Sequence, residues 1–353
     1  MRLEQLLGTQ LPIIQAPMAG VQNSALTLAV CGAGGLGSLP CAMLGAEALQ
    51  QELRLLSEQA QGPWNLNFFA HSTRPEDAVR TQRWRTALAP YYTELGLDIN
   101  TVQPGAGRRP FDRETLELIA PFRPPVVSFH FGLPDADVVD RIKGWGGKVL
   151  STATTLAEGK WLQAQGADAV IAQGLEAGGH RGHFLSTDLS LQMGTFALLP
   201  QMVAALDIPV IAAGGIADAS GVAAAMALGA AGAQVGTAYL LCPEATTTDL
   251  HRTALKSKRA QHTALTNVFS GGAARGIVNR IMHELGPMSE LAPPFPLAGS
   301  ASAPLRSAAE KAGSSDFSPL WSGQNNSGCK AIPAADLTRE LAAKVPPMAS
   351  IKQ

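Results

Sequence analysis

Charge of either sign is scarce in this chain. Asp, Glu, Lys and Arg make up only 16% of its 353 residues, against about a quarter in ordinary soluble domains. The 27 basic and 28 acidic residues nearly cancel, leaving a formal net charge of −1. With no global field to hold a phosphodiester backbone or an anionic bilayer, neither nucleic acid nor membrane is expected as a partner. Cysteine is sparse too. Cys31, Cys41, Cys242 and Cys329 form no C-x-x-C pair, which argues against a disulfide scaffold or structural zinc and suits a reduced cytoplasm. The opening MRLEQLLGTQ lacks the basic stretch and apolar block of a signal peptide. One long run, 219–243, has no charge at all, but it is mostly Ala and Gly and carries Gln234. A membrane helix is not expected there. What the chain does have is a hydrophobic content of 46%, enough to exclude disorder over most of its length, with 36 glycines and 24 prolines that fit an enzyme of many tight loops.

Short apolar or β-branched runs recur along the chain, at 13–16, 35–38, 65–69, 126–131, 148–152, 169–173, 210–213 and 233–236. Helical patterns fall between them, at 46–61, 135–143, 155–165, 195–206 and 219–228. Strands alternating with helices imply a parallel sheet covered on both faces. Eight such units predict a closed (β/α)₈ TIM barrel whose site lies at the C-terminal ends of the strands. Gly32 to Gly37 spells G-x-G-x-x-G, yet it follows a helical run and leads into a strand. A dinucleotide fingerprint needs the opposite order, so a helix-to-strand turn is expected instead. The βα rhythm stops after Leu241. The predicted organisation is a barrel over 1–242, a helical cap or substrate subdomain over 243–319 and a C-terminal return over 320–353. In the cap, the cluster Arg252, Lys256, Lys258 and Arg259 reads as a solvated helix face. An insertion at 70–125 and an Ala/Pro/Ser-rich stretch at 287–304 carry no motif.

The residues able to do chemistry sit at predicted strand ends. Gly178 and Gly179 follow the sixth strand and would let backbone amides approach a flat or anionic ligand. His180 projects from that loop with an ordinary pKa suited to acid–base work. With His183 it spells H-x-x-H, but no carboxylate stands at zinc spacing. Gly214 and Gly215 end the seventh strand, and Gln234, Val235, Gly236 and Thr237 end the eighth. Paired glycine turns on those two strands are where such barrels commonly hold a phosphate. Met18, at the end of the first strand, can lay a polarizable side chain against a ring. Asn67 and Gln173 offer amides that both donate and accept, which suits an isoalloxazine. His130 ends the fourth strand and could touch substrate or serve as a core histidine. Arg275, in SGGAARG, could pair with a carboxylate bidentately or tether two parts of the chain.

Together these stretches resemble the nitronate monooxygenases, formerly called 2-nitropropane dioxygenases, in their bacterial class I. The resemblance rests on PIIQAPM at 12–18, NLNFF at 65–69, SFHFG at 128–132, AQGLEAGGHRG at 172–182, AAGGI at 212–216, QVGTAYLLCPE at 234–244, HTALTNVFSGGAARG at 262–276 and DFSPLWSGQ at 316–324. It implies an FMN-bearing barrel that oxidises alkyl nitronates, propionate 3-nitronate among them, with O₂ to a carbonyl compound and nitrite. It makes Met18, Asn67, Gln173, Gly178, Gly179, Gly214, Gly215 and the run Gln234, Val235, Gly236 and Thr237 flavin contacts, and His180 the catalytic base or nitro-group partner. The partners it implies are a small anionic nitronate and O₂, for a monomer or homodimer. A competing reading on the same barrel is an FMN-dependent reductase that uses NAD(P)H, acting on enoyl-ACP or a quinone. The HFG strand at 130–132 favours the monooxygenase. A non-catalytic flavin-binding protein would need the same glycine loops but no His180.

Overall fold

The structure is a computed structural model that describes residues 1–72, 77–102 and 109–345. Eight parallel strands form its main sheet: β1 (Ile13–Gln15), β2 (Gly37–Pro40), β3 (Trp64–Phe69), β4 (Val126–His130), β5 (Lys148–Ala153), β6 (Ala169–Gln173), β8 (Val210–Ala213) and β9 (Gly232–Val235). A ninth short strand, β7 (Gly179–His180), leaves the main sheet and is described below. The spatial order is β1-β9-β8-β6-β5-β4-β3-β2. Leu36 N–H donates to the Ile13 carbonyl at 2.9 Å and Gln15 N–H to the Leu36 carbonyl at 3.0 Å, which joins β2 back to β1. The sheet is therefore a closed barrel, as the βα rhythm predicted.

Strand alternation decides what faces the barrel axis. In β3 (WNLNFF), Leu66 and Phe68 join the core shared with the outer helices, while Asn65 and Asn67 point the other way. Inside the barrel, Asn65 Nδ2 donates to Ser38 Oγ at 3.0 Å and to Ser128 Oγ at 2.9 Å, and Asn67 Nδ2 reaches the same Ser128 Oγ at 2.9 Å. A polar layer thus sits above an apolar one built from Ile14, Leu36, Val126, Leu150, Ile171 and Ile211. Leu3 and Leu7, from the first helix, join that apolar layer. The uncharged run 219–243 becomes a barrel helix (Ala219–Ala227) that buries only Val222 and Ala225, followed by the largely buried β9 and a buried 3-10 turn (Thr237–Leu241). Among the described residues, no helix is long and apolar enough to cross a membrane. The Gly32–Gly37 stretch is the end of the helix Ser24–Gly32 and its turn into β2, not a dinucleotide loop.

A second core lies outside the barrel, and it is not confined to 243–319. Trp84, Leu88, Tyr91 and Tyr92, from the helix Ala78–Glu94 in the 70–125 insertion, pack with Val268, Phe269, Ile281, Met282, Leu305 and Phe317. Trp84 Nε1 donates to the Ala298 carbonyl at 3.2 Å and the Tyr92 hydroxyl to Ala301 at 2.6 Å. Parts of that insertion, 73–76 and 103–108, lie outside the described residues, as do the last eight residues of the chain. The cap is not purely helical either. The strands β10 (Thr263–Thr266) and β11 (Ala274–Ile277) pair antiparallel, and β11 also pairs with β7. Nor is the basic cluster simply a solvated face: Arg252 donates to the carbonyls of Leu241, Cys242, Ala245 and Thr247. Four-residue strands rich in Thr, Ala and Gly leave little periodic signal, which is why the sequence read as helix and loop there.

Because the second core joins two distant segments, a cavity in it should loosen both at once. Replacing Trp84 with Ala is expected to cost about 3–5 kcal/mol. Amide exchange should then accelerate across 78–102 and 268–317 together, while β3 to β6 stay protected. Exchange confined to 78–94 would show that the two segments do not share one core.

Candidate active site

A cavity of about 180 Å³ opens at the C-terminal ends of the barrel strands. It is lined by Met18, Asn67, His130, Gln173, Gly178, Gly179, His180, Gly214, Gly215, Gln234, Gly236 and Thr237. The structure therefore brings together all but two of the residues singled out from the sequence. Val235 is the first exception, because alternation along β9 turns its side chain into the barrel's outer core. Arg275 is the second and does not line the cavity. It is buried, with Nε donating to the Leu175 carbonyl at 2.8 Å and Nη1 reaching Thr263, so it ties the cap sheet to the glycine loop instead of meeting a substrate carboxylate.

The loop after β6 is held from three sides. Gly179 and His180 form β7, with Ala274 opposite His180 and Arg275 opposite Gly179. Arg181, next in the chain, is fully buried, and Nε, Nη1 and Nη2 donate to Gln192 Oε1 (2.8 Å), the Gly174 carbonyl (2.7 Å) and the Gln173 carbonyl (2.8 Å). Burial, with Arg275 nearby, pulls its pKa down to about 10 against the opposing pull of Glu176 and Glu158, so it stays charged at neutral pH. The His180 carbonyl accepts from Gln173 Nε2 at 3.0 Å and contacts His130 Nε2 at 3.1 Å. Gly182 N–H donates back to Gln173 Oε1 at 2.8 Å. A Cβ on Gly182 would lie 2.6 Å from Thr152 Cγ2 and 2.8 Å from His130 Cε1, so only glycine lets the loop close on them.

His130 is thus a brace as well as a cavity wall. A carbonyl only accepts, so Nε2 carries the ring proton and Nδ1 accepts from the Thr152 hydroxyl at 3.2 Å. Burial lowers its pKa to about 4, the contact with the His180 backbone opposing, and the ring is neutral near pH 7. The His180 imidazole contacts Ser270 Oγ through Nε2 at 2.8 Å. Around it stand Phe69, Phe131, Phe295 and Trp321, with ring centroids 5.3–6.4 Å away. Phe131 adopts a left-handed φ of +71°, rare for a bulky residue, and its ring packs against His130 and Phe295.

The opposite end of the cavity is built from backbone. Gly214 and Gly215 both have positive φ (+111° and +73°), and the Gly215 and Ile216 amides donate to no protein acceptor among the described residues. The start of the following helix is already capped by Asp218, whose carboxylate accepts from Gly221 N–H, so the loop amides are what remains for an anion. Thr237 Oγ1 accepts from Gly323 N–H at 2.9 Å, which leaves its own proton to donate. Gln234 Oε1 is buried without a protein partner. An acceptor orphaned in a cavity wall, a row of outward amides and a spare hydroxyl together suit a ligand with ring N–H groups and an anionic tail.

Several residues in or beside the wall carried no signal in the sequence. Thr152 and Ser270 act through single hydroxyls that no spacing distinguishes. His251, on the helix Asp249–Lys256, lines the cavity and is buried with no partner at Nε2, and its pKa is lowered to about 4 by burial. Gly323 and Asn325, from the C-terminal return, also reach the wall, and Asn325 Nδ2 donates to the Gly215 carbonyl at 2.9 Å.

Two neutral histidines at the cavity wall set a direction for acid stability. His130 and His251 each have a folded pKa near 4, below the value of about 6.5 expected when unfolded. Between those values the unfolded chain binds more protons, so their contribution is whole above pH 6.5 and lost as pH falls toward 4. Replacing His130 with Gln should flatten the acid limb of a urea-midpoint profile by up to about 1.4 kcal/mol per pH unit. An unchanged slope would mean that His130 titrates normally in the native state.

The site agrees with what the chain is similar to. It matches the nitronate monooxygenase family over residues 1–344. A nitronate monooxygenase of Pseudomonas aeruginosa is 41% identical, the alignment covering 96% of this chain and 97% of the relative. One from Paraburkholderia phytofirmans is 40% identical over 95% and 92%. The solved structure of a nitroalkane oxidase from Streptomyces ansochromogenes superposes with a TM-score of 0.89, 39% identity and coverage of 97% of both chains. A family match running nearly end to end, on a barrel with the glycine–histidine loop at its mouth, places this chain in the nitronate monooxygenase family.

Proposed function

We propose that the protein oxidises alkyl nitronates with O₂, giving a carbonyl compound and nitrite, and that FMN is its cofactor. The observation that carries this reading is the convergence on one cavity of His180 and, at the far end, of amides and a hydroxyl suited to a phosphate monoester. Bound FMN would accept the two electrons that leave the substrate carbon. Gly215, Ile216 and Thr237 would hold the phosphate, and the amides of Asn67, Gln173 and Gln234 would address the ring edge. Substrates with anionic tails, propionate 3-nitronate among them, fall within this class.

His180 has two distinct tasks on two substrate forms. A nitronate is already a carbanion equivalent and needs only placement and charge stabilisation. A neutral nitroalkane must first lose its α-proton: the C–H bond breaks, an N–H bond forms on imidazole, and the electron pair stays on the substrate as nitronate. Phe69, Phe131, Phe295 and Trp321, packed around the imidazole, would limit water at that transfer.

Anaerobic mixing tests the reading directly. The purified protein should be yellow and release FMN on heating, and ethyl or propyl nitronate should bleach the flavin. Bleaching by NAD(P)H but not by nitronate would instead identify a reductase, and colourless protein that FMN cannot reconstitute would remove the cofactor assignment. Replacing His180 with Asn should lower neutral nitroalkane turnover by about two orders of magnitude or more, with a much smaller loss on the nitronate. Equal small losses on both would exclude a base role.

A further inference from the structure

We infer that Ser270, delivered by the cap, is the positioning residue that fixes the His180 tautomer and makes Nδ1 the basic nitrogen. The inference rests on the reading of His180 as the base given above. Ser270 is 6% exposed, and its Oγ lies 2.8 Å from His180 Nε2. The same oxygen lies 3.4 Å from the Gly272 carbonyl and 3.3 Å from the Gly272 amide. A carbonyl can only accept, so the hydroxyl has somewhere to send its own proton while its lone pairs accept from His180 Nε2–H and Gly272 N–H. With Nε2 protonated, the neutral imidazole carries its lone pair on Nδ1. When Nδ1 takes the α-proton of a nitroalkane, the resulting imidazolium keeps an acceptor at Nε2, and no other proton has to move.

The placement is built into the cap. Ser270 follows Val268 and Phe269 of the second core, and Ser302 Oγ donates to the Phe269 carbonyl at 3.1 Å. Arg181 N–H donates to the Ala273 carbonyl at 2.8 Å, and Ala274 pairs with His180, so the turn that carries Ser270 is in register with the histidine it orients. Among the described titratable and charged groups around the site, His130 is neutral and bonded to the His180 carbonyl, Arg181 and Arg275 point their guanidinium groups into carbonyls of the loop, and Glu176 and His251 line the same cavity. An acceptor held at Nε2 favours the charged form of the ring.

¹⁵N-histidine NMR on the flavin-loaded protein reads this without turnover. In the wild type, His180 should titrate as the Nε2–H tautomer. In Ser270→Ala, the loss of an acceptor for the charged form should lower its pKa by roughly half to one unit. The apparent pKa of kcat/KM for nitroethane should fall in step, and kcat on nitroethane by about tenfold, with ethyl nitronate turnover within twofold of wild type. Ser270→Thr, which keeps the hydroxyl, should restore the wild-type pKa and separates the hydrogen bond from any packing loss. A wild-type Nδ1–H tautomer, or a His180 pKa that is the same in Ser270→Ala, would overturn the inference. Failure of nitronate to bleach the wild-type flavin would overturn the functional reading and leave the tautomer measurement standing.

Discussion

The site depends on a buried cation with no carboxylate in hydrogen-bond contact. Arg181 has no exposure to solvent, and its guanidinium is neutralised by dipoles: two loop carbonyls and the Gln192 amide oxygen. A guanidinium has a planar fork of donors and is more weakly hydrated than an ammonium, so it can be desolvated at a cost that several short charge-assisted bonds offset. The bonds reach back to Gln173 and Gly174, so the segment 173–181 closes on itself around the charge. Glu158 does the complementary work on the outgoing side. It is buried, and its two oxygens accept from Thr154 N–H and Oγ1 and from Phe184 and Leu185 N–H. The loop is thus pinned just before and just after His180, by charges that cannot leave without exposing unsatisfied backbone.

That pinning explains how a glycine-rich loop can hold His180 in one place at the cavity wall. Glycines at 178, 179 and 182 remove side chains where the loop approaches the C-terminal return, the cavity and His130. By themselves they would leave the backbone free. The freedom is taken away by β-pairing with β11, by Arg181, and by the two groups directed at the His180 carbonyl, while Ser270 and four aromatic rings restrict the imidazole. Both parts of the fold contribute to each: β11 and Ala273 of the cap join Gln173 and His130 of the barrel in holding the backbone, and Ser270 of the cap joins Phe69 and Phe131 of the barrel around the ring. The cavity is complete only where barrel and cap meet.

The barrel was legible in the sequence because its determinants are local. Most βα units carry their own apolar run, turn and helical stretch, and β3 shows its inward and outward faces in six letters. The site's glycines and His180 were legible for the same reason, since strand ends are functional positions in a closed parallel barrel. The cap was less legible. Its core joins Trp84 and Tyr92 to Ala298 and Ala301, a pairing that no local period encodes. Its strands are short, and β7 is a two-residue strand of Gly and His. Arg275 shows the limit most plainly. A lone arginine after small residues is equally compatible with a ligand and a tether, and only the position of Leu175 and Thr263 around its guanidinium decides for the tether.

The near-absence of net charge fits this arrangement. An anionic nitronate gains little from a protein-wide field of −1, so attraction has to come from oriented dipoles close to the site. The buried arginines do not supply it as exposed cations, because their charge is already spread over loop carbonyls. What they do is hold the loop that presents His180. On this view, the charges nearest the site set the geometry of its loop. Recognition of the substrate is left to hydrogen-bond donors and ring edges in the cavity wall.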